Sequence, residues 1–346
     1  MTADAPRHDV RPSGPIRERA QHRDPLSGHT AMPPRTVEPG PIAILPTSHD
    51  DFAEAVERAG GTVQPLGSDT RGIIWLSAAR SDELAAVLDA HPQIAWVQLP
   101  WAGVDGFAEL LPRYADGSGP VFTSAKGAYS EPVAEHAVAL AHALLREFAP
   151  KARAARWADA RTGRSLYGLR VTIVGAGGIA REILRLLAPW RTETTVVRRT
   201  AHPLEGADRT VTVDELDGVL PDTDVLILAA ASTTSTRHLI DARRLDLLPD
   251  EAVLVNIARG ALVDTDALVD ALASGSLLGA GLDVTDPEPL PGGHPLCAEH
   301  RCLITSHSAD TAEMTAPLLA GRITENVRGF VGGTGFVGIV DPAEGS

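Results

Sequence analysis

The chain has only two cysteines in 346 residues, Cys297 and Cys302, too few for the disulfide framework of a small secreted domain. It also lacks any run approaching the ~18–20 uninterrupted apolar residues that a membrane-spanning helix needs. No apolar core follows the N-terminus as it would in a secretory signal, so a cytoplasmic location is expected. Positive charge is in deficit: 31 Lys and Arg stand against 45 Asp and Glu, a net charge of −14. Nucleic acid and anionic membranes would be repelled, which argues against either as a general partner and leaves room only for a local basic site for a phosphate.

What is present suits a globular protein. Hydrophobic residues make up 44% and charged residues 22%, and the length can hold two domains, each with its own core. Residues 1–40 stand apart, rich in Pro, Arg, His and Asp and without apolar periodicity. Such a segment buries too little surface to offset its ordering entropy and is expected to be a disordered arm, or a mis-assigned start with Met32 as the initiator. An organelle transit peptide fits poorly, because Asp4, Asp9, Glu18 and Asp24 interrupt the basic residues.

From residue 42 short apolar runs alternate with helical stretches. Runs at 42–45, 73–76, 94–99 and 121–123 predict strands, with helices over 51–59 and 81–90 between them. A long apolar-rich helix is predicted over 131–148. Further strands are predicted at 170–174, 194–197, 225–228, 253–257 and 279–284, and a last helix at 315–330. The βα alternation implies α/β architecture: two doubly wound parallel-sheet domains with helices on both faces.

The turn Gly175-Ala-Gly-Gly-Ile-Ala180 fits G-x-G-x-x-G/A. The pattern is weak alone, but here it follows a predicted strand and opens a predicted helix over 179–187. Gly175 permits a tight turn, Gly177 lets the backbone approach a pyrophosphate, and Ala180 allows close helix–strand packing. An acidic residue about 20 positions on would bind the ribose of NAD. The chain instead reads Val196-Val197-Arg198-Arg199-Thr200, with Glu193 too early. Two guanidiniums suit a 2′-phosphate, so NADP is the expected cofactor, with NAD possible. The expected cofactor contacts are Gly175, Gly177, Gly178, Ile179, Ala180, Arg198, Arg199, Ala230, Ile257 and Asp283.

Three residues downstream complete a chemistry. Arg259 lies in Val-Asn-Ile-Ala-Arg-Gly, Glu288 in Asp-Pro-Glu-Pro-Leu, and His307 in Ile-Thr-Ser-His-Ser. A guanidinium matches a carboxylate and polarises a carbonyl as charge develops on it. An imidazole, with its ordinary pKa near 6.5, exchanges a proton near neutrality, and a carboxylate on its other nitrogen fixes the tautomer. Beside a nicotinamide, these groups are what reduction of a 2-oxo acid needs.

The order and phrasing of these motifs resemble the D-isomer-specific 2-hydroxyacid dehydrogenase family, glyoxylate/hydroxypyruvate reductases in particular, over most of the chain from residue 42 to 340. The resemblance implies a Rossmann dinucleotide-binding domain over 129–308 and a smaller flavodoxin-like substrate domain from 41–128 and 309–340, with the active site in the cleft. It makes Arg259, Glu288 and His307 the catalytic set and Asp283 the acceptor for the nicotinamide amide. The loop 101–106, with Trp101, Ala102 and Gly103, becomes the backbone binder of the substrate carboxylate. The implied reaction is NAD(P)-dependent reduction of a small 2-oxo acid to the (R)-2-hydroxy acid. A homodimer packed through the helix at 131–148 is also implied, and the apolar surface of that helix supports it. The longer phosphoglycerate dehydrogenases carry a regulatory domain, which is not expected past residue 340.

The sequence departs from the family pattern in places. Ser306, Ser308 and Asp310 replace the usual Pro before the catalytic His and Ala-Gly soon after it, and Asp310 is expected to add negative charge there. Trp101 is bulky for a substrate loop and either narrows the pocket or packs between domains. Glu288, where formate dehydrogenases of the superfamily carry Gln, speaks against formate oxidation. Oxidation of another small anion such as phosphite, and a dinucleotide-sensing corepressor-like interaction protein, stand as alternatives. His294, Cys297, His300 and Cys302 mimic a zinc set, but their tight spacing in a Pro/Gly loop argues against one, and no metal is expected. His136 and His142 are expected to be packing or interface residues.

Overall fold

The computed structural model describes residues 30–157 and 161–343. The chain divides into two compact units, one of Ser130–Asp310 and one built from the residues up to Tyr129 together with those from Thr311 onward. The junctions expected after 128 and 308 therefore fall one and two residues later.

In the split unit, β1 (Thr30–Ala31) is followed by β2 (Ile42–Leu45), β3 (Gly72–Trp75), β4 (Trp96–Gln98) and β5 (Val121–Thr123). The last four form one parallel sheet in the order β2-β3-β4-β5. Residues 62–64 run beside Ile42 as a further parallel bridge, Ile42 N–H donating to the Thr62 carbonyl at 2.8 Å and Gln64 N–H to the Ile42 carbonyl at 3.0 Å. Counting that segment, the sheet order is 2-1-3-4-5, the flavodoxin-like arrangement. The helices Asp50–Arg58 and Ser81–Ala90 place Asp50, Asp51, Asp82 and Glu83 in their first turns, where the macrodipole favours acid.

The continuous unit opens with the helix Ser130–Leu145 and carries seven parallel strands: β6 (Arg170–Val174), β7 (Glu193–Arg198), β8 (Arg209–Thr212), β9 (Val225–Leu228), β10 (Val253–Asn256), β11 (Gly279–Leu282) and β12 (Cys302–Ile304). Their order, β12-β11-β10-β9-β6-β7-β8, reverses between β6 and β9, which is the Rossmann switch point where a dinucleotide binds. The chain then returns to the first unit through the helix Ala312–Gly332 and β13 (Phe336–Val337).

The expected disordered arm needs a correction at its end. Residues 1–29 lie outside the described residues, but β1 pairs antiparallel with β13, Thr30 opposite Val337 and Ala31 opposite Phe336. This short ladder has no apolar run to announce it. The helix expected over 131–148 stops at Leu145, because Glu147 takes a left-handed backbone (φ 53°) before a separate short helix, Phe148–Ala152. Most of its apolar surface is not surplus either, though Val138 stays half-buried. Val133, Ala137, Leu140, Ala141, Leu144 and Leu145 are buried, and the helix packs on Gly178–Leu187, β10 and β11. Large apolar surface stays exposed instead on Phe148, Trp157 and Tyr167.

In the split unit the returning chain supplies core that the N-terminal strands lack. Trp96 lies against Phe330 and Phe336, with ring centroids 5.1 and 5.6 Å away. Beside them, buried Asn326 donates to Gln98 Oε1 at 2.7 Å and to the Val337 carbonyl at 3.0 Å, while accepting from Val337 N–H at 2.7 Å. Thr123 Oγ1 donates to the same Gln98 oxygen at 2.9 Å and receives the Trp96 indole N–H at 2.9 Å. Removing one member of such a network leaves several dry polar groups unpaired. Asn326→Ala is expected to cost about 2–4 kcal/mol of stability in urea unfolding; a loss under about 0.5 kcal/mol would show that these bonds do not anchor the return.

Candidate active site

The glycine turn has the backbone geometry that a dinucleotide cradle needs, within the continuous unit. Gly175 has φ 122°, and a Cβ there would stand 2.4 Å from the Ala229 carbonyl, so the end of β6 can meet the end of β9 only through glycine. Gly175 N–H donates to the Val197 carbonyl at 2.8 Å, tying the turn to β7. Gly177 is the N-cap of the helix Gly178–Leu187 and no side chain caps that helix. A Cβ on Gly177 would meet nothing within 4 Å. The first-turn N–H groups, including those of Gly178, Ile179 and Ala180, therefore face an open approach suited to a pyrophosphate. Ala180 is fully buried.

Arg198 is the last residue of β7, and Arg199 follows it exposed. Arg198 Nη1 donates to the His202 carbonyl at 3.3 Å. Glu193 begins the same strand, at the end opposite the glycine turn. Ala230 lies just past β9 and Ile257, buried, just past β10, at the same C-terminal edge of the sheet.

Arg259 follows β10 in extended conformation, directly before a 3₁₀ turn, Gly260–Leu262. Asn256 shapes this turn, donating to the Arg259 carbonyl at 2.9 Å and accepting from Ala258 N–H at 3.1 Å. Gly260 then touches the loop that leads to Glu288: a Cβ on it would be 2.0 Å from the Thr285 carbonyl group. That loop is held by Thr265 Oγ1, which donates to the Asp286 carbonyl at 2.6 Å, and by Thr285 Oγ1, which donates to the Pro287 carbonyl at 2.9 Å. Glu288 Oε1 lies 2.8 Å from His307 Nδ1, so the carboxylate holds one ring nitrogen and leaves Nε2 to act elsewhere.

His307 sits in a left-handed backbone (φ 51°), rare for a residue with a Cβ. The loop is held by Asp283, 2% exposed at the end of β11. The Asp283 carboxylate accepts from Thr305 Oγ1 at 2.6 Å, Ser308 N–H at 2.8 Å and Ala309 N–H at 3.1 Å. Its carbonyl accepts from His307 N–H at 2.8 Å. His136, expected to be a packing or interface residue, joins this network through Thr305. Sequence reasoning missed Asn256, Gly260, Thr305 and His136. The first three lie in or next to the phrases that carry Arg259 and His307, whereas His136 gave no signal beyond its place on a helix.

The expected substrate loop lies in the other unit. Its Trp101 carbonyl accepts from Ala125 N–H at 2.9 Å, and Tyr129 OH donates to the Pro100 carbonyl at 2.6 Å. The Trp101 ring stands edge-on to Tyr129 at 5.8 Å, and Ala102 and Gly103 are half-buried. Among the described residues, no group of three or more His, Cys, Asp or Glu is placed to hold a metal. His294 caps a short helix by accepting from Leu296 N–H, His300 pairs with Glu299, and Cys302 is buried in β12 with its thiol pushed up to about 12 by burial.

Asp310 closes the loop half-buried. Burial pushes its carboxyl up to about 6, with Asp283 adding to the effect and His307 and Arg259 opposing it. Its negative charge is thus present only above about pH 6, not across the whole acidic range. Between about pH 4 and 6 the folded protein holds this proton while the unfolded chain has lost it, so the group's contribution falls as pH rises through that window. Asp310→Asn, neutral throughout, is expected to gain about 2–3 kcal/mol over the parent at pH 8 and nothing at pH 4, measured by urea unfolding at both. An equal difference at the two pH values would count against a buried carboxyl.

Residues 137–309 match the family described as "D-isomer specific 2-hydroxyacid dehydrogenase, NAD binding domain". An uncharacterized protein from the proB 3′ region of Corynebacterium melassecola is 35% identical over 74% of this chain and 85% of its own length. A glyoxylate reductase of Aeropyrum pernix is 30% identical over 66% of this chain and 71% of its own. Among solved structures, a D-isomer specific 2-hydroxyacid dehydrogenase from Xanthobacter autotrophicus Py2, in complex with NADPH and MES, superposes with a TM-score of 0.74 at 27% identity, covering 89% of this chain and 100% of that one. The uncapped glycine turn at the Rossmann switch point and these matches lead to one conclusion: the chain belongs to the D-isomer-specific 2-hydroxyacid dehydrogenase family.

Proposed function

We propose that this family member is a reductase of small 2-oxo acids, with His307, Glu288 and Arg259 as its catalytic set and NADPH as its preferred cofactor. The observation that carries the proposal is the 2.8 Å bond between Glu288 Oε1 and His307 Nδ1, formed in the unit that bears the dinucleotide turn and Arg259. The reduced nicotinamide, when bound, supplies a hydride to the carbonyl carbon. His307 Nε2 delivers the proton to the carbonyl oxygen, and the Glu288 carboxylate stabilises the imidazolium before transfer. Arg259 holds the substrate carboxylate and draws negative charge from the developing alkoxide. In alcohol oxidation the same imidazole takes the proton back. For Trp101, Ala102 and Gly103 the proposal keeps the role of a backbone donor set for an anion.

The NADPH preference rests on Arg198 and Arg199 at the end of β7, where no carboxylate stands to meet a 2′-hydroxyl. NADPH-dependent glyoxylate/hydroxypyruvate reductases from Sinorhizobium meliloti superpose with TM-scores of 0.69 and 0.72 at 25% and 22% identity. We also propose a homodimer, now on the exposed Phe148, Trp157 and Tyr167 rather than on the helix before them. Light scattering at micromolar concentration tests it, and a monomer would refute it.

The direct test is oxidation of NADPH and NADH across a panel from glyoxylate and hydroxypyruvate to phenylpyruvate, with phosphite-dependent NADP reduction as a separate arm. Turnover of an oxo acid supports the proposal; silence on the whole panel despite cofactor binding overturns it. His307→Gln is expected to lower kcat by about 10²–10⁴-fold. Replacing Arg198 and Arg199 together with Ala should raise the KM for NADPH about tenfold or more and leave that for NADH within about twofold, as loss of a bidentate phosphate contact requires.

A further inference from the structure

The geometry points to His136 and Thr305 as positioning residues for His307, acting through Asp283. This rests on the reading of His307 as the proton donor. His136 lies in the helix Ser130–Leu145, far from His307 in sequence, with its Nε2 2.9 Å from Thr305 Oγ1 and 3.6 Å from Asp283 Oδ1. Thr305 Oγ1 is in turn 2.6 Å from Asp283 Oδ1.

The direction of these bonds follows from their chemistry. A hydroxyl has one proton to give, and the Asp283 carboxylate is already the acceptor for the N–H groups of Ser308 and Ala309. The Thr305 proton therefore goes to Asp283, and its oxygen accepts from the other side. His136 must then carry its hydrogen on Nε2. The chain of donation runs from His136 to Thr305 to Asp283, whose Oδ1 also accepts from Ser308 N–H and whose Oδ2 accepts from Ala309 N–H.

His307 needs that support. A left-handed backbone is unfavourable for a residue with a Cβ, and it persists only where neighbours over-determine it. Thr305 N–H donates to the Leu282 carbonyl at 2.9 Å and His307 N–H to the Asp283 carbonyl at 2.8 Å, so the main chain is pinned before the imidazole. The carboxylate pins it after. Thr305 adds a third bond, to the oxygen that Ser308 N–H also uses, and what sets the Thr305 hydroxyl is His136. Losing the first donor frees the hydroxyl, and the carboxylate is then held by the amides alone. A displacement of about 1 Å at an acid–base residue can cost 10²-fold in rate.

Three variants of the full chain test this. His136→Ala and Thr305→Val are each expected to lower kcat about 10–100-fold. His136→Gln, which can present an N–H where Nε2 stands, is expected to recover kcat to within about threefold of the parent. Hydrogen–deuterium exchange supplies a readout that needs no substrate: the Ser308 and Ala309 amides should exchange at least about tenfold faster in the Ala and Val variants and at the parent rate in the Gln variant. If His136→Ala leaves both kcat and these amides unchanged, or if Gln behaves as Ala does, the positioning role is wrong. If the parent reduces no oxo acid, the functional reading fails, while the exchange rates still decide whether His136 and Thr305 hold the loop.

Discussion

The candidate active site depends on a single buried carboxylate. Asp283 ends β11 with almost no exposure and collects donors from Thr305, Ser308 and Ala309. A carboxylate in such surroundings is costly unless its oxygens are paired, and in this conformation the loop pairs both. That conformation places His307 in the left-handed region and brings Nδ1 onto Glu288. The fold thus converts the cost of burying a charge into the orientation of an imidazole.

Close approach of backbones does the remaining work. At Gly175 the end of β6 comes so near the Ala229 carbonyl that any side chain would collide, and Gly260 meets the Thr285 carbonyl group in the same way. The first contact shapes the glycine turn at the switch point of the sheet. The second ties the loop of Arg259 to the loop of Glu288. Both contacts join strand ends on the C-terminal edge of one parallel sheet, so Arg259, Glu288 and the glycine turn are fixed by the same scaffold.

Most of the sheet was legible in the sequence because a parallel strand covered on both faces is a continuous apolar run. The strands Ile42–Leu45, Val121–Thr123, Arg170–Val174 and Val225–Leu228 have the bounds that hydrophobicity predicts. The strand Arg209–Thr212 was invisible, since at the sheet's edge only Val211 is buried. Cys302–Ile304 was obscured by the apparent metal cluster that Cys302 shares. At the site, the pairing of His307 with Glu288 was legible because each residue sits in a distinctive phrase. His136 was not, because its significance lies in a hydrogen bond to Thr305 across 169 positions, and a lone histidine on an apolar helix carries no local mark of that bond. The apolar helix that holds it misled in another way: its surface was read as spare when the glycines of β11, Gly279 and Gly281, make room for Leu140 and Leu144.

The bond between Asn326 and Gln98 has a consequence for how the protein is made. It closes a loop that contains the whole of Ser130–Asp310, so the first sheet emerges from the ribosome long before the helix and strand that complete its core. At about 5–20 residues per second, roughly 10–40 s separate the two halves of that unit. During that interval Trp96 lacks Phe330 and Phe336, and the nascent sheet exposes apolar surface. The continuous unit, with no such delay, can close first. The dinucleotide site would then be finished on the growing chain while the other unit still waits for its last helix, a window in which chaperone contact would fall on the N-terminal sheet.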